Sequence, residues 1–343
     1  MSKLASVLAT STAALLVAAG LAACAGADSG ERVPAAATAD RAWLLPASIP
    51  QPAENPSTPA RVALGKALFF DTRLSGPSGM SCASCHEPTL GWSDGRKTSA
   101  VGKDVMTRAS PTVLNVGYNT QFTWDGRKKS LEDHAMGPHR HLSVADYKAS
   151  AERLGALEGY QKMFAAAYPG EAITQESISK ALAVFQRSLV STDSNFDRWV
   201  AGDRTALTPA QYRGFKLFTD PAKANCAACH NGPNFTDNGF HNVGLKSGDV
   251  GRYAFRKLDA MKGAFKTPTL RDIENTAPYF HDGSAATLRE VVEYYARGGE
   301  DASNRSPDVR KLDLTERDKE DLVAFLRALT GRHAAFVPPQ LPQ

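Results

Sequence analysis

The spacing of apolar residues along the chain is mainly that of helices. Apolar positions follow the period of an amphipathic helix in four stretches: 144–167, 173–200, 287–297 and 315–329. The last stretch begins at a capping residue, Thr315, with Asp318 three positions later and Gly331 after its end. Strand signals are sparse, because no turn dipeptide separates two alternating runs. The pattern predicts a mainly α fold.

A weak duplication divides the chain. The segment GKALFFD (65–71) resembles GFKLFTD (214–220), and a Thr-Pro pair precedes each one, at 58–59 and at 208–209. Threonine is a good N-cap and proline suits the first helical position, so each pair predicts the start of a helix. A cysteine motif and a loop rich in Gly, Pro, Asn and Asp follow each repeat. The sequence therefore predicts two domains in tandem and a short tail: residues 58–203, 204–332 and 333–343.

The N-terminus has the pattern of an export signal. A positively charged start precedes an alanine-rich apolar stretch, residues 5–23, which ends in LAAC. LAAC resembles the lipobox of bacterial lipoproteins. This predicts that residues 1–24 direct export, that Cys24 carries lipid, and that the protein is anchored at a membrane on the periplasmic side. A plain signal peptide cut just after Ala25 or Ala27 is the alternative.

The segment after the signal is rich in proline. Residues 25–57 contain Pro34, Pro46, Pro50, Pro52 and Pro56 among alanine, serine and threonine. Such a composition favours an extended linker over a packed core. We expect folded structure to begin near Thr58.

Composition and charge narrow the function further. The formal net charge of +4, without any basic run, is too mild to indicate nucleic-acid binding. The five cysteines divide into two pairs and Cys24. An exported protein could form disulfides, but no cysteine is left over for one.

The two cysteine pairs belong to the motifs CASCH (82–86) and CAACH (226–230). In a Cys-x-x-Cys-His motif the two thiols can bond to the vinyl groups of a haem, and the histidine reaches the iron. A redox pair or half of a zinc site is the alternative for a lone Cys-x-x-Cys. Zinc would leave both histidines unexplained. The motifs therefore predict two covalently attached haem c groups, held by Cys82, Cys85, His86, Cys226, Cys229 and His230.

The opposite face of each iron decides what such a protein does. A sixth protein ligand makes an electron carrier, whereas an open position can bind peroxide or oxygen. Thioether sulfur raises the reduction potential, while a phenolate stabilises higher oxidation states.

Four segments of the chain resemble the bacterial di-haem cytochrome c peroxidase and MauG family. In order over residues 60–330, they are LGKALFFDTRLSGPSGMSCASCHEP, ASPTVLNVGYNTQFTWDGR, FKTPTLRDIENTAPYFHDGS and TLREVVEYYARGG. The resemblance implies two cytochrome-c-like domains, with a calcium ion and a tryptophan between the haems. It also implies a peroxidatic N-terminal haem and a six-coordinate C-terminal haem that relays electrons or stores an oxidising equivalent.

Three residues carry over from the family. Trp124, in TWDGR, matches the tryptophan between the haems. Tyr295, in VVEYY, falls where peroxidases of the family place an axial methionine and MauG places an axial tyrosine. Its neighbour Tyr294 would serve if the register differed by one, and Met261 is a rival outside the matching block. His281, in APYFHDG, matches a histidine near the second haem and is expected to donate or accept hydrogen bonds there.

The first haem pocket departs from the family. The loop at 87–108 contains no histidine, so the switch histidine of conventional members is absent and an open haem is expected. Pro138 matches a distal proline, and His134 stands where glutamine is usual. The family's distal glutamate is expected near Val144, where the chain offers Val144 and Ala145 with only Asp146 nearby. Cleavage of peroxide needs a group that moves a proton, and the candidates are His134, His139 and His141. The alternatives are that these histidines bind the iron and close the pocket, or that they face solvent.

The calcium site also departs from the family. Ala109 replaces an expected asparagine, which leaves the carbonyl groups of Thr276 and Pro278 as candidate ligands.

Together these features predict a di-haem peroxidase with a MauG-like second haem. Hydrogen peroxide would be its substrate. A protein would supply the electrons: a small cytochrome c, a cupredoxin or a protein substrate. Two alternatives stay open. One is a conventional cytochrome c peroxidase, and the other is an electron-transfer cytochrome in which both irons are six-coordinate.

Overall fold

Helices begin at both Thr-Pro pairs, as the sequence predicts. The structure is a computed structural model that describes residues 31–75, 79–101, 104–136 and 147–343. Helix α1 begins at Pro59, and the hydroxyl oxygen of Thr58 accepts a hydrogen bond from the Arg61 amide at 3.2 Å. Helix α7 begins at Pro209 and is capped by Thr208 in the same way. Proline is tolerated at these positions because no intrahelical bond is needed from its nitrogen.

The described part of the chain is mainly helical. Its α-helices are α1 (Pro59–Phe70), α2 (Leu131–Met136), α3 (Tyr147–Gly155), α4 (Glu158–Ala167), α5 (Gln175–Ser188), α6 (Asn195–Ala201), α7 (Pro209–Thr219), α8 (Tyr253–Arg256), α9 (Leu288–Ala296) and α10 (Glu316–Arg327). Several short 3-10 helices lie between them. The strands form two antiparallel pairs: β1 (Ala100–Val101) with β2 (Asp104–Val105), and β3 (Phe240–His241) with β4 (Phe265–Lys266).

Two of the predicted helical stretches are interrupted. The stretch at 173–200 forms α5 and α6, because Asp193 has a positive φ of 59° and Ser194 caps a new helix by accepting from the Asp197 amide at 3.0 Å. A capping residue satisfies amide groups that a continuous helix would satisfy internally. The described part of 144–167 is likewise divided, into α3 and α4. Helices α9 and α10 lie within their predicted stretches.

Each half of the chain has a core built on one helix crossing. Gly65 of α1 lies against α5, where a Cβ atom would come within 2.0 Å of the Ala181 carbonyl oxygen. Gly214 of α7 lies against α10, where a Cβ atom would come within 1.9 Å of the Asp321 carbonyl oxygen. Glycine is required at both positions because only a residue without a side chain permits such a close approach. The repeat in the sequence is therefore a repeat in helix packing.

The prediction of an extended linker is wrong for residues 33–57. The Trp43 ring packs 4.9 Å from the Phe235 ring in the C-terminal core. Asn55 is fully buried, and its amide donates to Glu132 at 2.8 Å in the N-terminal half. Proline limits backbone freedom without preventing its neighbours from packing, so composition alone does not reveal these contacts.

The predicted tail also packs. Residues 33–343 form one compact unit. The Phe336 ring stacks on Phe70 of α1 at 5.3 Å, and the Gly159 amide donates to the terminal Gln343 carbonyl at 2.7 Å. The C-terminus therefore returns to the N-terminal core.

The predicted signal, residues 1–24 with Cys24, lies outside the described residues. Within the described ranges, no helix has both the length and the apolar character needed to cross a bilayer.

Candidate functional site

The two Cys-x-x-Cys-His motifs fold alike. Each begins in a 3-10 helix, Cys82–Ser84 in the first motif and Cys226–Ala228 in the second. The backbone amide of the motif histidine donates to the carbonyl of the first cysteine, at 3.0 Å for His86 and 2.9 Å for His230. This single turn brings the two thiols and the imidazole of each motif together.

Both imidazoles are oriented by a backbone carbonyl. Nδ1 of His86 lies 3.2 Å from the Trp92 carbonyl oxygen, and Nδ1 of His230 lies 3.1 Å from that of Phe235. Trp92 and Phe235 have positive φ values of 59° and 51°. Nδ1–H is the donor in such a contact, which leaves Nε2 with its lone pair. This is the tautomer that an axial iron ligand needs.

Desolvation dominates the electrostatics of these motifs. Burial raises the pKa of the Cys82 thiol and of the Cys226 thiol to about 12 and lowers the pKa of His230 to about 4. By accessible surface the same side chains are only half-buried. These side chains are therefore packed by protein and partly open to solvent, and burial favours the neutral forms of both thiols and of the His230 imidazole.

Tyr295 lies beside the second motif. Burial raises the pKa of its phenol, and the nearby thiols of Cys229 and Cys226 raise it further. Within the described residues its hydroxyl forms no hydrogen bond. The hydroxyl of Tyr294, in contrast, donates to the Val243 carbonyl at 3.0 Å. Of the two tyrosines on α9, Tyr295 is the one that faces the cysteines.

Met261, the rival predicted ligand, follows an exposed stretch of the chain. It ends the 3-10 helix Asp259–Met261, next to residues 254–260, which are all exposed. The described contacts do not bring it to the second motif.

Trp124 is held by both halves of the chain. Its indole Nε1–H donates to the Ala109 carbonyl at 2.9 Å, and its own carbonyl accepts from the Lys266 amide at 2.8 Å. Its ring centroid lies 6.4 Å from that of His281. The indole is therefore fixed between the N-terminal and C-terminal segments.

His281 is buried, with 3% of its surface exposed. Its ring stacks on Phe265 at 3.6 Å, and its Nε2 lies 3.2 Å from the Ser247 hydroxyl. Burial lowers the pKa of its imidazole. Its backbone carbonyl accepts from the Ala109 amide at 2.7 Å, which places it next to the Trp124 anchor.

Of the predicted distal residues of the first pocket, only His134 belongs to the described residues. His134 lies half-buried on α2. Pro138, His139, His141 and Val144 lie outside the described residues. Tyr147, which the sequence did not indicate, lies close to Cys82, and its hydroxyl donates to the Ala135 carbonyl of α2.

The predicted calcium ligand Thr276 lies beside Gly91. Gly91 packs against the carbonyl oxygen of Asn275 and the side chain of Thr276, so this loop is close to the first motif. Ala109 has no side-chain oxygen, and its carbonyl is already bonded to Trp124. Pro278 follows Thr276 in the same loop.

The sequence did not indicate a polar cluster beside Cys229. His241 Nε2 lies 2.8 Å from Asp237 Oδ2, and ligand atoms of both residues and of Cys229 lie within 4.8 Å of one another. The hydrogen bond with Asp237, followed by that with Cys229, raises the pKa of His241 to about 10. A histidine four positions from an aspartate carries no specific motif, so only the folded loop reveals the pair.

A second unpredicted feature is the ion-pair bridge of Arg108. Its guanidinium bonds to Asp125 at 2.8 Å and to Asp249 at 2.6 Å. Burial opposes the charges of these carboxyl groups, but the hydrogen bonds from Arg108 outweigh it and lower the pKa of both. The bridge ties the Trp124 segment to the C-terminal half.

The chain resembles known families over most of its length. A family model described as "Di-haem cytochrome c peroxidase" matches residues 59–205, and one described as "Cytochrome c" matches residues 212–330. These matches and the helical structure confirm the predicted fold class, a mainly α protein with two cytochrome-c-like haem domains in tandem.

Individual relatives match nearly the whole chain. Methylamine utilization protein MauG of Methylorubrum extorquens is 47% identical over 305 residues, which are 87% of this chain and 86% of that protein. Cytochrome c551 peroxidase of Nitrosomonas europaea is 36% identical over 302 residues, 85% of this chain and 86% of that protein. A crystal structure of a MauG-like protein associated with microbial copper homeostasis is 32% identical, has a TM-score of 0.78, and is matched over 84% of this chain and 95% of that chain.

Proposed function

The chain belongs to the di-haem cytochrome c peroxidase and MauG family of oxidoreductases, and from this premise we propose that it reduces hydrogen peroxide by a MauG-like arrangement of two haems. Residues 58–203 would hold the peroxidatic haem, and residues 204–332 would hold the electron-transfer haem. When bound, the haems supply peroxide binding at an open iron face and storage or transfer of electrons.

The local geometry of the two motifs supports the proposed attachment residues. Cys82 and Cys85 would bind the first haem, and Cys226 and Cys229 the second. His86 and His230 would be the proximal ligands through Nε2, because Nδ1 of each is bonded to a carbonyl. That bond fixes the ring plane and raises the basicity of the ligating nitrogen.

The observation that carries the proposal is the position of Tyr295. Its phenol lies beside the cysteines of the second motif without another hydrogen-bond partner among the described residues, whereas Tyr294 is bonded to Val243. A phenol in that position would be the sixth ligand of the second haem. A phenolate there favours oxidised iron and disfavours simple electron uptake from a donor.

The remaining residues would transfer electrons between the sites and protons to the peroxide. Trp124, anchored at Ala109 and Lys266, would connect the two sites. His134, near Pro138, would move the proton that peroxide cleavage requires. His139 and His141 remain further candidates for that role. A calcium ion at the carbonyl groups of Thr276 and Pro278 would stiffen the loop beside the first motif.

The partners and the cellular location are part of the same proposal. Hydrogen peroxide would be the oxidant, and a small cytochrome c, a cupredoxin or a protein substrate would supply the electrons. Export by residues 1–24 and lipidation of Cys24 would hold the protein at a membrane, facing the periplasm.

Two matched variants, Tyr295→Phe and Tyr294→Phe, test the ligand assignment. We expect the oxidised wild-type protein to give one high-spin and one low-spin ferric EPR signal. Tyr295→Phe should change the low-spin signal, because the phenolate is lost. Tyr294→Phe should leave it unchanged, because that hydroxyl donates to the Val243 carbonyl.

Peroxide itself tests the activity. Stoichiometric peroxide mixed with the oxidised protein should produce a rapid change in the visible spectrum. Two low-spin signals, together with failure to bind cyanide, would instead identify an electron-transfer cytochrome. Fast steady-state turnover with reduced cytochrome c would identify a conventional peroxidase.

A further inference from the structure

Lys266 places a positive charge inside the C-terminal half. The residue lies on β4 and is 9% exposed. Its ammonium donates to the Thr267 carbonyl at 2.9 Å, and no described carboxylate forms an ion pair with it. Burial lowers the pKa of this amine to about 8. Taking an ammonium out of water costs several kcal/mol unless an anion compensates it.

The contacts of Thr267 locate the charge beside the second motif. The carbonyl that accepts from Lys266 also accepts from the Thr236 hydroxyl at 2.7 Å. The next residue, Pro268, contacts the His230 imidazole through its backbone. The Lys266 amide donates to the Trp124 carbonyl at 2.8 Å. The Thr267 carbonyl that holds the ammonium is therefore one residue from the backbone that contacts the proximal histidine, and the Lys266 backbone is bonded to the Trp124 segment.

The carboxylate that acts on Lys266 electrostatically is already engaged in hydrogen bonds. Asp237 influences Lys266 electrostatically, but its two oxygens bond to His241 at 2.8 Å and to the Gly239 amide at 2.7 Å. A haem, in contrast, carries two ionised propionates at one edge.

We propose that the Lys266 ammonium binds a propionate of the haem attached at Cys226 and Cys229. This inference rests on the proposed attachment of that haem. A cation at the propionate edge stabilises the reduced iron, because reduction removes one positive charge from the haem. Lys266 would therefore raise the reduction potential of the second haem and partly offset the opposite effect of Tyr295.

Spectroelectrochemical titration of the full-length holoprotein tests this. Lys266→Met should lower the midpoint potential of the second haem and leave that of the first unchanged. Lys266→Arg should retain the wild-type potential. Lys262→Met removes an exposed lysine of the same segment and should change neither potential. An unchanged potential in Lys266→Met would overturn the proposal.

Resonance Raman spectroscopy distinguishes contact from mere proximity. The propionate bending band of the second haem should shift in Lys266→Met and stay in place in Lys266→Arg. If the methionine variant yields no holoprotein, Lys266→Gln, which keeps a hydrogen-bond donor without charge, should still lower the potential. A band that is insensitive to every substitution of Lys266 would rule out the contact.

These measurements need no peroxide. A protein without peroxidase activity could therefore still show the lower potential in Lys266→Met. An active peroxidase whose potentials do not change would contradict only the role of Lys266.

Discussion

The N-terminal and C-terminal halves share the parts that hold a haem and differ in what surrounds it. In each half, a glycine lets two helices cross closely, at Gly65 and at Gly214. An aromatic pair closes each crossing, Phe69 with Phe185 at 5.2 Å and Phe218 with Phe325 at 5.0 Å. The helix crossing and the histidine turn are therefore a common unit, on which separate functions can be built.

The difference between the halves lies in their tyrosines. Tyr147 is close to Cys82, but its hydroxyl is taken up by the Ala135 carbonyl. Tyr295 is close to Cys229 and Cys226, and its hydroxyl has no other described partner. A phenol bonded to a helix carbonyl stabilises the fold, whereas an unbonded one can bind a metal. The same residue type thus serves packing in one half and is proposed to serve ligation in the other.

The crossing glycines provide the prediction with the largest effect. We expect Gly65→Ala and Gly214→Ala each to lower the free energy of unfolding by about 3 kcal/mol, because the added methyl group would overlap a carbonyl oxygen of the facing helix. Denaturant titration of the holoprotein measures the loss. Gly155→Ala is the control, since its Cβ atom would meet nothing closer than 3.8 Å.

Similar losses in both crossing variants would support a common packing unit. A large loss in one variant and none in the other would show that the halves are not packed equivalently.

The aspartates that end the two repeats should contribute less to the free energy of unfolding, and the contribution of Asp71 should depend on pH. Burial alone would raise the pKa of Asp71, but hydrogen bonds from Arg73 and Tyr160 outweigh it, so the pKa lies below its ordinary value of 3.8. The Arg73 guanidinium reaches the carboxylate at 2.7 Å, and the Tyr160 hydroxyl does so at the same distance. Asp220, the counterpart in the other half, caps only the Ala222 amide.

We therefore expect Asp71→Asn to cost about 2 kcal/mol at neutral pH and Asp220→Asn much less. The contribution of Asp71 is complete above pH 3.8, the ordinary value, and is lost as the pH falls through its lowered pKa. Unfolding titrations at several acidic pH values should show the gap between wild type and Asp71→Asn closing as the pH falls. A gap that is independent of pH would contradict the role of the charge.

Local rules were enough to predict the shared parts of the two halves. Thr58, Thr208 and Thr315 cap helices as predicted, because capping depends on a few adjacent residues. Helical periodicity did not reveal the break before α6, since the Ser194 cap competes with an apolar pattern that continues through it. Periodicity describes which face is buried, and it contains no information about where the backbone turns.

Contacts between residues that are distant in the chain could not be predicted from the sequence. The register of α9 decides that Tyr294 meets Val243 and that Tyr295 faces the cysteines, and a Tyr-Tyr pair leaves this choice open. In the sequence, Lys266 and His241 belong to no motif. The pairing of β3 with β4 brings both residues to the second motif. Packing of residues 33–57 was hidden for the same reason, because its partners are far away in sequence.

The smallest expected effect is on the rate of electron transfer between the two halves through Trp124. Trp124→Phe keeps an aromatic ring but loses the indole hydrogen bond to Ala109. If the two sites act together through Trp124, the variant should transfer electrons between them roughly tenfold more slowly, equivalent to about 1.4 kcal/mol of barrier. Stopped-flow spectra after addition of peroxide separate an unchanged first phase from a slowed response of the second site.

Trp43→Phe is the control for loss of a tryptophan. Its ring packs on Phe235 in the C-terminal core and lies in neither of the contacts that anchor Trp124. It should reduce stability slightly and leave the rate between the sites unchanged. Equal rates in wild type and Trp124→Phe would mean that electrons pass by another route. The Arg108 bridge between Asp125 and Asp249 would then be another described link between the Trp124 segment and the C-terminal half to test.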